Sequence, residues 1–427
     1  MAGTLKSAVK WSAGSTVVRL VCGFISIKVT AVYVGPAGLA LIAQLSNFYS
    51  LLQTTASNAL DSAVVKMTAE AEQTQPERAS GVIGTALRLV LGIGLFLAAA
   101  VFAFRRHLAD WLLGGERFAP LLILAAIVLP IGMMGQLFTA LFQARRRFEL
   151  VSGVGIVVTV AGAAVFVISA WLFGLWGALI ATVAVIPLTF LVASWLGHRD
   201  PTTRLLTFWP TARFRYVRPI LGFYPMLLVH SAALPLALVV VRSLLIGNFG
   251  ETQAGLWQAT VRLSDMYTMI FLTVLSMYSL PTLAAARSEN EFASVLRRLV
   301  ALCIAAMVPT VAVLLAARDL IISIVFTSEF STVKDLWVWR LVGDVFFIAG
   351  WPMRSALMAR GRQYTYMAIE FIIGAGTLVL TWALLESRGI ASANIAHALV
   401  WGGVFVCLVA VHRDVFLGRR SGEEPDR

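Results

Sequence analysis

The chain has 427 residues, of which 59% are hydrophobic and 13% are charged, and its formal net charge is +12. Soluble globular domains carry about 25% charged residues, so this composition excludes an ordinary soluble protein. Apolar segments recur along the whole chain. Each is long enough, at about 20 residues, to cross the hydrocarbon core as a helix, and each far exceeds the roughly 10-residue strands of a membrane barrel. The composition therefore predicts an all-α polytopic membrane protein.

Twelve membrane-spanning helices are predicted from these apolar segments. Their centres lie near residues 22, 52, 93, 130, 160, 185, 234, 268, 304, 344, 374 and 402. Short breaks separate several of the helices and contain glycine, which favours turns. These breaks are GPAG (35–38), FGLWG (173–177) and GNFGE (247–251).

Lysine and arginine follow the alternate connections between the predicted spans. If both termini are cytoplasmic, 22 basic residues, Arg354 among them, lie inside and six lie outside. The positive-inside rule therefore predicts an even number of spans with both termini in the cytoplasm. Cations in short juxtamembrane loops suit contact with anionic membrane lipids, so the net charge requires no nucleic-acid partner.

No pattern typical of an enzyme or of a metal site occurs in the sequence. The five histidines are scattered without metal-ligand spacing, and GxxxxGK[ST] and nucleophile motifs are absent. Cys22, Cys303 and Cys407 fall in different spans, which favours packing roles over a disulfide or a metal set. We therefore expect no cofactor, no metal and no enzymatic activity.

The second half of the chain repeats parts of the first half. AGLALIAQLSNFY (37–49) and AGLWQATVRLSDMY (254–267) share AGL, LS and a tyrosine, and weaker matches follow in the same order. This order predicts two six-helix bundles, 1–197 and 218–416, joined by a cytoplasmic linker (198–217) and followed by a cytoplasmic tail (417–427). Paired halves of this kind are a transporter design, with substrate held where the halves meet.

One face of the second helix in each half is polar. In the first half these residues are Gln44, Asn47, Thr54, Asn58 and Asp61, and in the second half they are Gln258, Arg262, Asp265 and Ser276. Polar side chains avoid lipid, so each stripe either forms hydrogen bonds to another helix or lines a shared, wet cavity. On the cavity interpretation, the candidates for substrate binding are Gln44, Asn47, Asn58, Gln258 and Arg262, together with Trp257 and Tyr267.

Four intramembrane carboxylates are candidates for either ion coupling or a structural role. Asp265 and Asp344 each follow an arginine by three or four residues, so each can form an ion pair on its own helix. Asp61 and Glu370 have no obvious neighbour of opposite sign within their own helices. An isolated carboxylate in a membrane is paired across helices or protonated, and either state suits a proton or cation coupling site.

Several motifs together resemble a known family. LPLALVVVRSLL, GLWQATVRLSDMY, YSLPTLA and WRLVGDV, with GPAGLAL after the first helix, are similar to the Wzx flippases of the MOP exporter superfamily, above all to enterobacterial members. The similarity covers nearly the whole chain. It implies twelve helices in two pseudo-symmetric six-helix bundles around a central cavity. It also implies transfer of an undecaprenyl-pyrophosphate-linked oligosaccharide, of O-antigen or enterobacterial-common-antigen type, from the cytoplasmic to the periplasmic leaflet of the bacterial inner membrane.

The same resemblance places basic residues of the first and seventh helices in the cavity. Arg19, Lys28 and Arg242 occupy the matching places, and cationic side chains can replace the hydration of a pyrophosphate without a metal. Lys28 and Arg242 correspond in the two halves. Arg19 lies on the opposite side of the helix from Lys28 and can snorkel to the cytoplasmic surface. The alternative is that these cations only neutralise buried carboxylates.

The expected mechanism is alternating access, in which the halves rock about the cavity while the lipid tail stays in the membrane. A proton or cation gradient as driving force remains open, as do a polysaccharide polymerase and a chain-length regulator as partners. The main alternative is a multidrug or cation antiporter of the same superfamily, although three cavity cations favour an anionic cargo. A membrane polysaccharide polymerase or ligase is less well supported, because the predicted outside loops are short.

Overall fold

The computed structural model describes residues 2–54, 76–199 and 224–417, with isolated positions at 60, 64, 65, 67, 68 and 216–218. Two predicted site residues, Asn58 and Asp61, lie outside the described residues, as do most of the predicted linker and nearly all of the tail. Within the described ranges the chain is helical and contains no strand, which confirms the predicted all-α fold.

Fourteen α-helices occur in the described part of the chain. They are α1 (Ala2–Tyr33), α2 (Gly35–Gln53), α3 (Pro76–Ala103), α4 (Arg105–Leu113), α5 (Ala119–Ala144), α6 (Phe148–Ala184), α7 (Leu188–Arg199), α8 (Tyr224–Ala284), α9 (Glu289–Ala316), α10 (Arg318–Val325), α11 (Val333–Ala359), α12 (Gln363–Arg388), α13 (Ser392–Val411) and α14 (Arg413–Leu417).

Two of these helices contain an internal break, and both breaks were predicted from glycine. Gly174 in α6 has φ 55° and ψ −133°, and Gly250 in α8 has φ 82° and ψ 168°. A positive φ is readily adopted by glycine and strains residues that carry a Cβ, so these positions end one helical segment and start the next. With α6 and α8 each divided in two, and with α7 continuing the second part of α6, the described residues form twelve segments of membrane-spanning length.

Seven apolar stretches in the described part of the chain are long enough to cross a membrane. Three of them, 148–198, 233–284 and 363–411, are 49 to 52 residues long and each contains two segments. The seven stretches do not include α2 or α11, which carry the amides and charges described below. Hydropathy therefore does not detect two helices that carry polar side chains.

The chain forms two compact units, Met1–Gly255 and Leu256–Arg427. In the first unit α1 packs along α6, and α5 packs against α3, α6 and α7. In the second unit α13 packs against α11 and α12, and α9 packs against α11. The predicted division near residues 198–217, which rests on the internal repeat, stays a prediction.

Glycines allow two close helix contacts inside the first unit. A Cβ on Gly135 of α5 would lie 2.6 Å from the backbone nitrogen of Phe190 in α7. A Cβ on Gly255 would collide with the carbonyl oxygen of Pro36, at the start of α2. Small residues let membrane helices approach closely and so gain packing that lipid cannot supply. Gly255, in the second AGL copy, therefore packs against the backbone of Pro36, which immediately precedes the first AGL copy.

A buried ion pair joins α11 to α12 in the second unit. Arg354 Nη1 donates to Glu370 Oε1 at 2.8 Å, and both side chains are almost fully buried. The same guanidinium lies 5.1 Å from the ring centre of Trp351 and 5.0 Å from that of Trp401, which adds cation–π attraction. The sequence prediction that placed Arg354 in a cytoplasmic connection is therefore wrong, because α11 continues through it to Ala359.

His412 follows the last residue of α13 and is also buried. Its Nε2 donates to the carbonyl oxygen of Met353 at 3.1 Å. Burial lowers the pKa of His412, and the charges of Arg360 and Arg362 lower this pKa further, while the bond to Met353 opposes the shift. The folded protein therefore favours neutral His412.

Removing one partner of the buried ion pair should be costly. We expect Arg354→Ala to destabilise the protein by about 3 to 5 kcal/mol, because it leaves the Glu370 carboxylate buried without its partner. The double variant Arg354→Met, Glu370→Leu should recover most of this loss. Thermal unfolding of the purified protein in lipid nanodiscs measures both effects. Equal destabilisation by the single and double variants would contradict the prediction.

Stability should also fall as the pH drops below about 6.5, the ordinary pKa of histidine. The pKa of His412 is lower in the folded state than in the unfolded state. Its contribution to the stability of the folded protein is therefore present above pH 6.5 and is lost at lower pH, where the unfolded state binds a proton that the folded state does not. Melting curves between pH 8 and pH 5 should show a smaller loss for His412→Gln than for wild type. His198→Gln, at an exposed position, is the matched control and should follow wild type.

Candidate functional site

A buried arginine lies at the centre of a polar cluster in the first unit. Arg242, on α8, is 0% exposed. Its Nη1 donates to the side-chain oxygen of Gln44 at 3.0 Å. With the Asn47 amide turned so that its oxygen faces the guanidinium, that oxygen accepts from Nη1 at 3.1 Å and from Nη2 at 3.2 Å. Gln44 and Asn47 are one turn apart on α2, so a single helix face presents both amides to the arginine.

The Gln44 amide is itself fixed by α8. Its Nε2 donates to Ser243 Oγ at 2.8 Å and to the carbonyl oxygen of Val239 at 3.2 Å. An amide oxygen accepts from a guanidinium without removing its charge. Two of the groups that orient Arg242 are therefore neutral amides, whose hydrogen bonds an incoming anion can replace with stronger, charge-assisted ones.

Arg19 and Lys28 differ in their surroundings along α1. Arg19 is exposed, and its Nη2 lies 3.3 Å from the point that a Cβ on Gly155 of α6 would occupy. Lys28 is partly buried. The structure thus places the Arg19 side chain beside α6, and the roles predicted for both cations stay predictions.

A different part of the α2 surface borders a polar cavity of about 240 Å³ in the first unit. Its lining includes Tyr49 and Gln53 from α2, Gln136 from α5, and Thr182 and Thr189. The side chains that line it carry hydroxyl, amide or apolar groups and no formal charge. Polar residues of α2 therefore serve two purposes, since some form hydrogen bonds to α8 and others line this cavity.

In the second unit, three helices meet at the carboxylate of Asp344. This residue, on α11, is 1% exposed. Its Oδ1 lies 2.9 Å from Nε2 of His397 on α13 and 3.7 Å from Nε of Arg340. The hydroxyl of Tyr267 on α8 donates to Oδ2. The predicted Arg340–Asp344 pair is therefore part of a larger group, whose net charge changes if His397 gains a proton.

Neutral polar side chains extend this group. Ser264 Oγ lies 3.2 Å from the Tyr267 hydroxyl and accepts from Trp337 Nε1 at 3.3 Å. Nearby, Asn394 Nδ2 donates to Thr260 Oγ1 at 3.0 Å. Within the described ranges, no group of three or more His, Cys, Asp or Glu side chains is placed to hold a metal ion. These hydrogen bonds join α8, α11 and α13.

The predicted polar stripe of the second half runs from the interior to the surface. Gln258 is 2% exposed, Arg262 is partly buried, and Asp265 and Ser276 are exposed, while the separate candidate Trp257 is 1% exposed. The sequence pattern correctly placed these residues on one helix, yet it did not distinguish the buried end of the stripe from the exposed end.

Two partners of buried carboxylates were not predicted from the sequence. His397 was grouped with scattered histidines, and Arg354 with loop cations, whereas they contact Asp344 and Glu370. An ionisable residue inside a membrane span requires a partner, and this rule could have identified His397 as a candidate partner. For Glu370, the structure selects pairing across helices.

Comparison with known proteins gives the family. The family model described as "Polysaccharide biosynthesis protein" matches residues 31–335. Lipid III flippases of Escherichia coli (strain K12) and Shigella flexneri are each 25% identical to this chain over 396 residues, which is 92% of this chain and 94% of each relative.

Two solved structures are similar in fold, each with a TM-score of 0.76 and 14% identity over 95% of this chain. One is an inward-facing multidrug resistance MATE family transporter of the MOP superfamily, covered over 100% of its length. The other is the lipid II flippase MurJ in an inward closed conformation, covered over 89%. The fold is thus similar to that of these two transporters, and because the family model covers more than half of the chain, the chain belongs to the polysaccharide biosynthesis protein family.

Proposed function

We propose that the protein is a flippase that moves an undecaprenyl-pyrophosphate-linked oligosaccharide from the cytoplasmic to the periplasmic leaflet. The observation that carries this proposal is the Arg242 cluster, a guanidinium held by the Gln44 and Asn47 amides within a helical membrane protein. Such a group matches an anionic headgroup that must cross hydrocarbon. The lipid III flippase relatives support a lipid-linked oligosaccharide as the cargo.

Access to Arg242 requires a change of conformation. The side chain is fully buried here, so a headgroup can reach it only after the helices around it separate. This requirement favours alternating access, with Arg242 and Lys28 binding the pyrophosphate. Gln44, Asn47 and the other polar candidates are proposed to bind the glycan.

The proposed location is the bacterial inner membrane, with both termini in the cytoplasm. The basic turn at Arg145, Arg146 and Arg147 joins α5 to α6, and Arg360 and Arg362 lie between α11 and α12. Both positions are cytoplasmic in the predicted topology, as the positive-inside rule requires.

Proton coupling is proposed for the Asp344 group. His397 and Arg340 both contact this carboxylate, so one proton on His397 changes the charge of a buried group that joins three helices. Glu370 has a structural role in this scheme, because Arg354 already neutralises it. The relatives named above are flippases and transporters, not enzymes, so the polymerase and ligase alternatives have no support.

Loss of the proposed headgroup cation should slow transport. In proteoliposomes, Arg242→Ala should slow flipping of a fluorescent undecaprenyl-pyrophosphate oligosaccharide by roughly 10- to 150-fold, the equivalent of one charged hydrogen bond worth about 1.5 to 3 kcal/mol. Lys28→Ala should also slow it, and Arg242→Lys should keep part of the activity.

Arg388→Ala, at an exposed cation at the end of α12, is the matched control and should flip like wild type. Normal flipping by Arg242→Ala and Lys28→Ala would reduce both cations to structural roles. Drug efflux without flipping by wild type would instead favour the antiporter.

The coupling role of the Asp344 group predicts a distinct effect. A pH gradient across the proteoliposome should accelerate flipping by wild type, whereas His397→Gln should flip at a rate that the gradient does not change. Asp344→Asn should behave similarly because the carboxylate no longer interacts with the histidine charge. A gradient response that persists in a folded His397→Gln variant would exclude this site as the coupling group.

A further inference from the structure

A second cavity opens beside the end of the first segment of α8. It has a volume of about 410 Å³ and is lined by the last turn of α4 and by residues of α8 between Val240 and Asn248. This volume lies in the range of roughly 300 to 1,000 Å³ that is usual for small-molecule sites. In the predicted topology, α4 and this end of α8 both face the periplasm.

The sequence of α4 explains how it presents polar groups to this cavity. Ala109, Leu112 and Leu113 are buried in a core that also includes residues of α2 and α8. They occupy one face of the helix, so Asp110 and Trp111 are left exposed at the cavity. Gly114, with φ 72°, ends the helix through a hydrogen bond from its nitrogen to the Asp110 carbonyl oxygen at 3.0 Å.

The lining combines an aromatic ring with hydrogen-bond acceptors. Trp111 is 48% exposed, which leaves part of its ring free to contact a ligand. The Asp110 side chain forms no hydrogen bond or ion pair among the described residues, and the Glu251 carboxylate lies 3.4 Å from the point that a Cβ on Gly114 would occupy. Asn248 donates to the Leu244 carbonyl oxygen at 2.8 Å, so its side-chain oxygen remains an acceptor.

These groups match the chemistry of a sugar ring. The C–H face of a pyranose is apolar and packs on an indole, while its hydroxyls donate to carboxylate and amide oxygens. Two nearby carboxylates, Asp110 and Glu251, repel an acidic sugar and favour a neutral or amine-bearing one.

The cavity is connected to the Arg242 cluster by one hydroxyl. Ser243 lines the cavity, and its Oγ accepts from the Gln44 amide that also contacts Arg242. Arg242 and Ser243 are adjacent in sequence. An anion bound at Arg242 and a sugar bound at Ser243 would therefore be neighbouring parts of one ligand.

We propose that this cavity, formed by Asp110, Trp111, Gly114, Ser243 and Asn248, is a glycan subsite that holds a neutral or amine-bearing sugar residue on the periplasmic side. The proposal rests on the proposed function for the source of the glycan. Binding of a free sugar requires no transport, so the subsite is tested separately from flipping.

The test measures binding of N,N′-diacetylchitobiose to the full chain in lipid nanodiscs, because glycoside detergents would compete for the site. Wild type should bind this disaccharide saturably in titration calorimetry. Trp111→Ala and Asp110→Asn should each weaken binding at least tenfold. Trp171→Ala removes an exposed tryptophan of α6 and Glu386→Gln an exposed carboxylate of α12, and both controls should bind like wild type.

Absence of saturable binding by wild type would overturn the subsite, as would unchanged binding by both cavity variants. If Trp111 only anchors α4 at the membrane surface, Asp110→Asn would bind normally, and this result also counts against the proposal. Loss of disaccharide binding in both variants supports the subsite even if wild type flips no lipid-linked oligosaccharide. If wild type flips its lipid-linked oligosaccharide but both variants bind the disaccharide as wild type does, the subsite alone is refuted.

Discussion

A charge buried within a membrane-spanning bundle must find its partners in the protein, because the hydrocarbon core supplies none. The polar contacts of this chain follow from that constraint. Arg354 contacts Glu370, Asp344 contacts His397, and Arg242 contacts Gln44. Apolar helix faces pack against lipid almost as well as against each other. These few polar contacts therefore determine much of which helix faces meet.

Two buried arginines, Arg354 and Arg242, have described partners of different kinds. Arg354 has a carboxylate and aromatic rings around it, so its charge is compensated where it lies. Arg242 has amide oxygens among its partners, which hold it in position and can be exchanged for a phosphate oxygen. Arg354 would have to lose its carboxylate partner before it could bind an anionic cargo.

Much of the fold could be predicted from the sequence because its signals are local. Spans follow from apolar length, and the breaks at Gly174 and Gly250 follow from glycine within turn-forming stretches. The partners across helices could not be predicted. The sequence shows which side of a helix carries Glu370 or Asp344, but the contact with Arg354 or His397 depends on how helices are rotated and packed. Arg354 was predicted to lie in a connection because the sequence does not distinguish a cation near the end of a helix from a cation in the loop that follows.

The hydrogen bond between Arg242 and Gln44 joins residues 198 positions apart, which has a consequence for biosynthesis. A ribosome adds roughly 5 to 20 residues per second, so α2 is complete roughly 10 to 40 seconds before Arg242 is made. During that interval the Gln44 amide lacks the contacts that α8 provides. The nascent helix must keep this side chain near water or within the insertion machinery, and release into lipid before α8 arrives would expose an amide to hydrocarbon. Timing of membrane insertion is thus part of how this polar cluster forms.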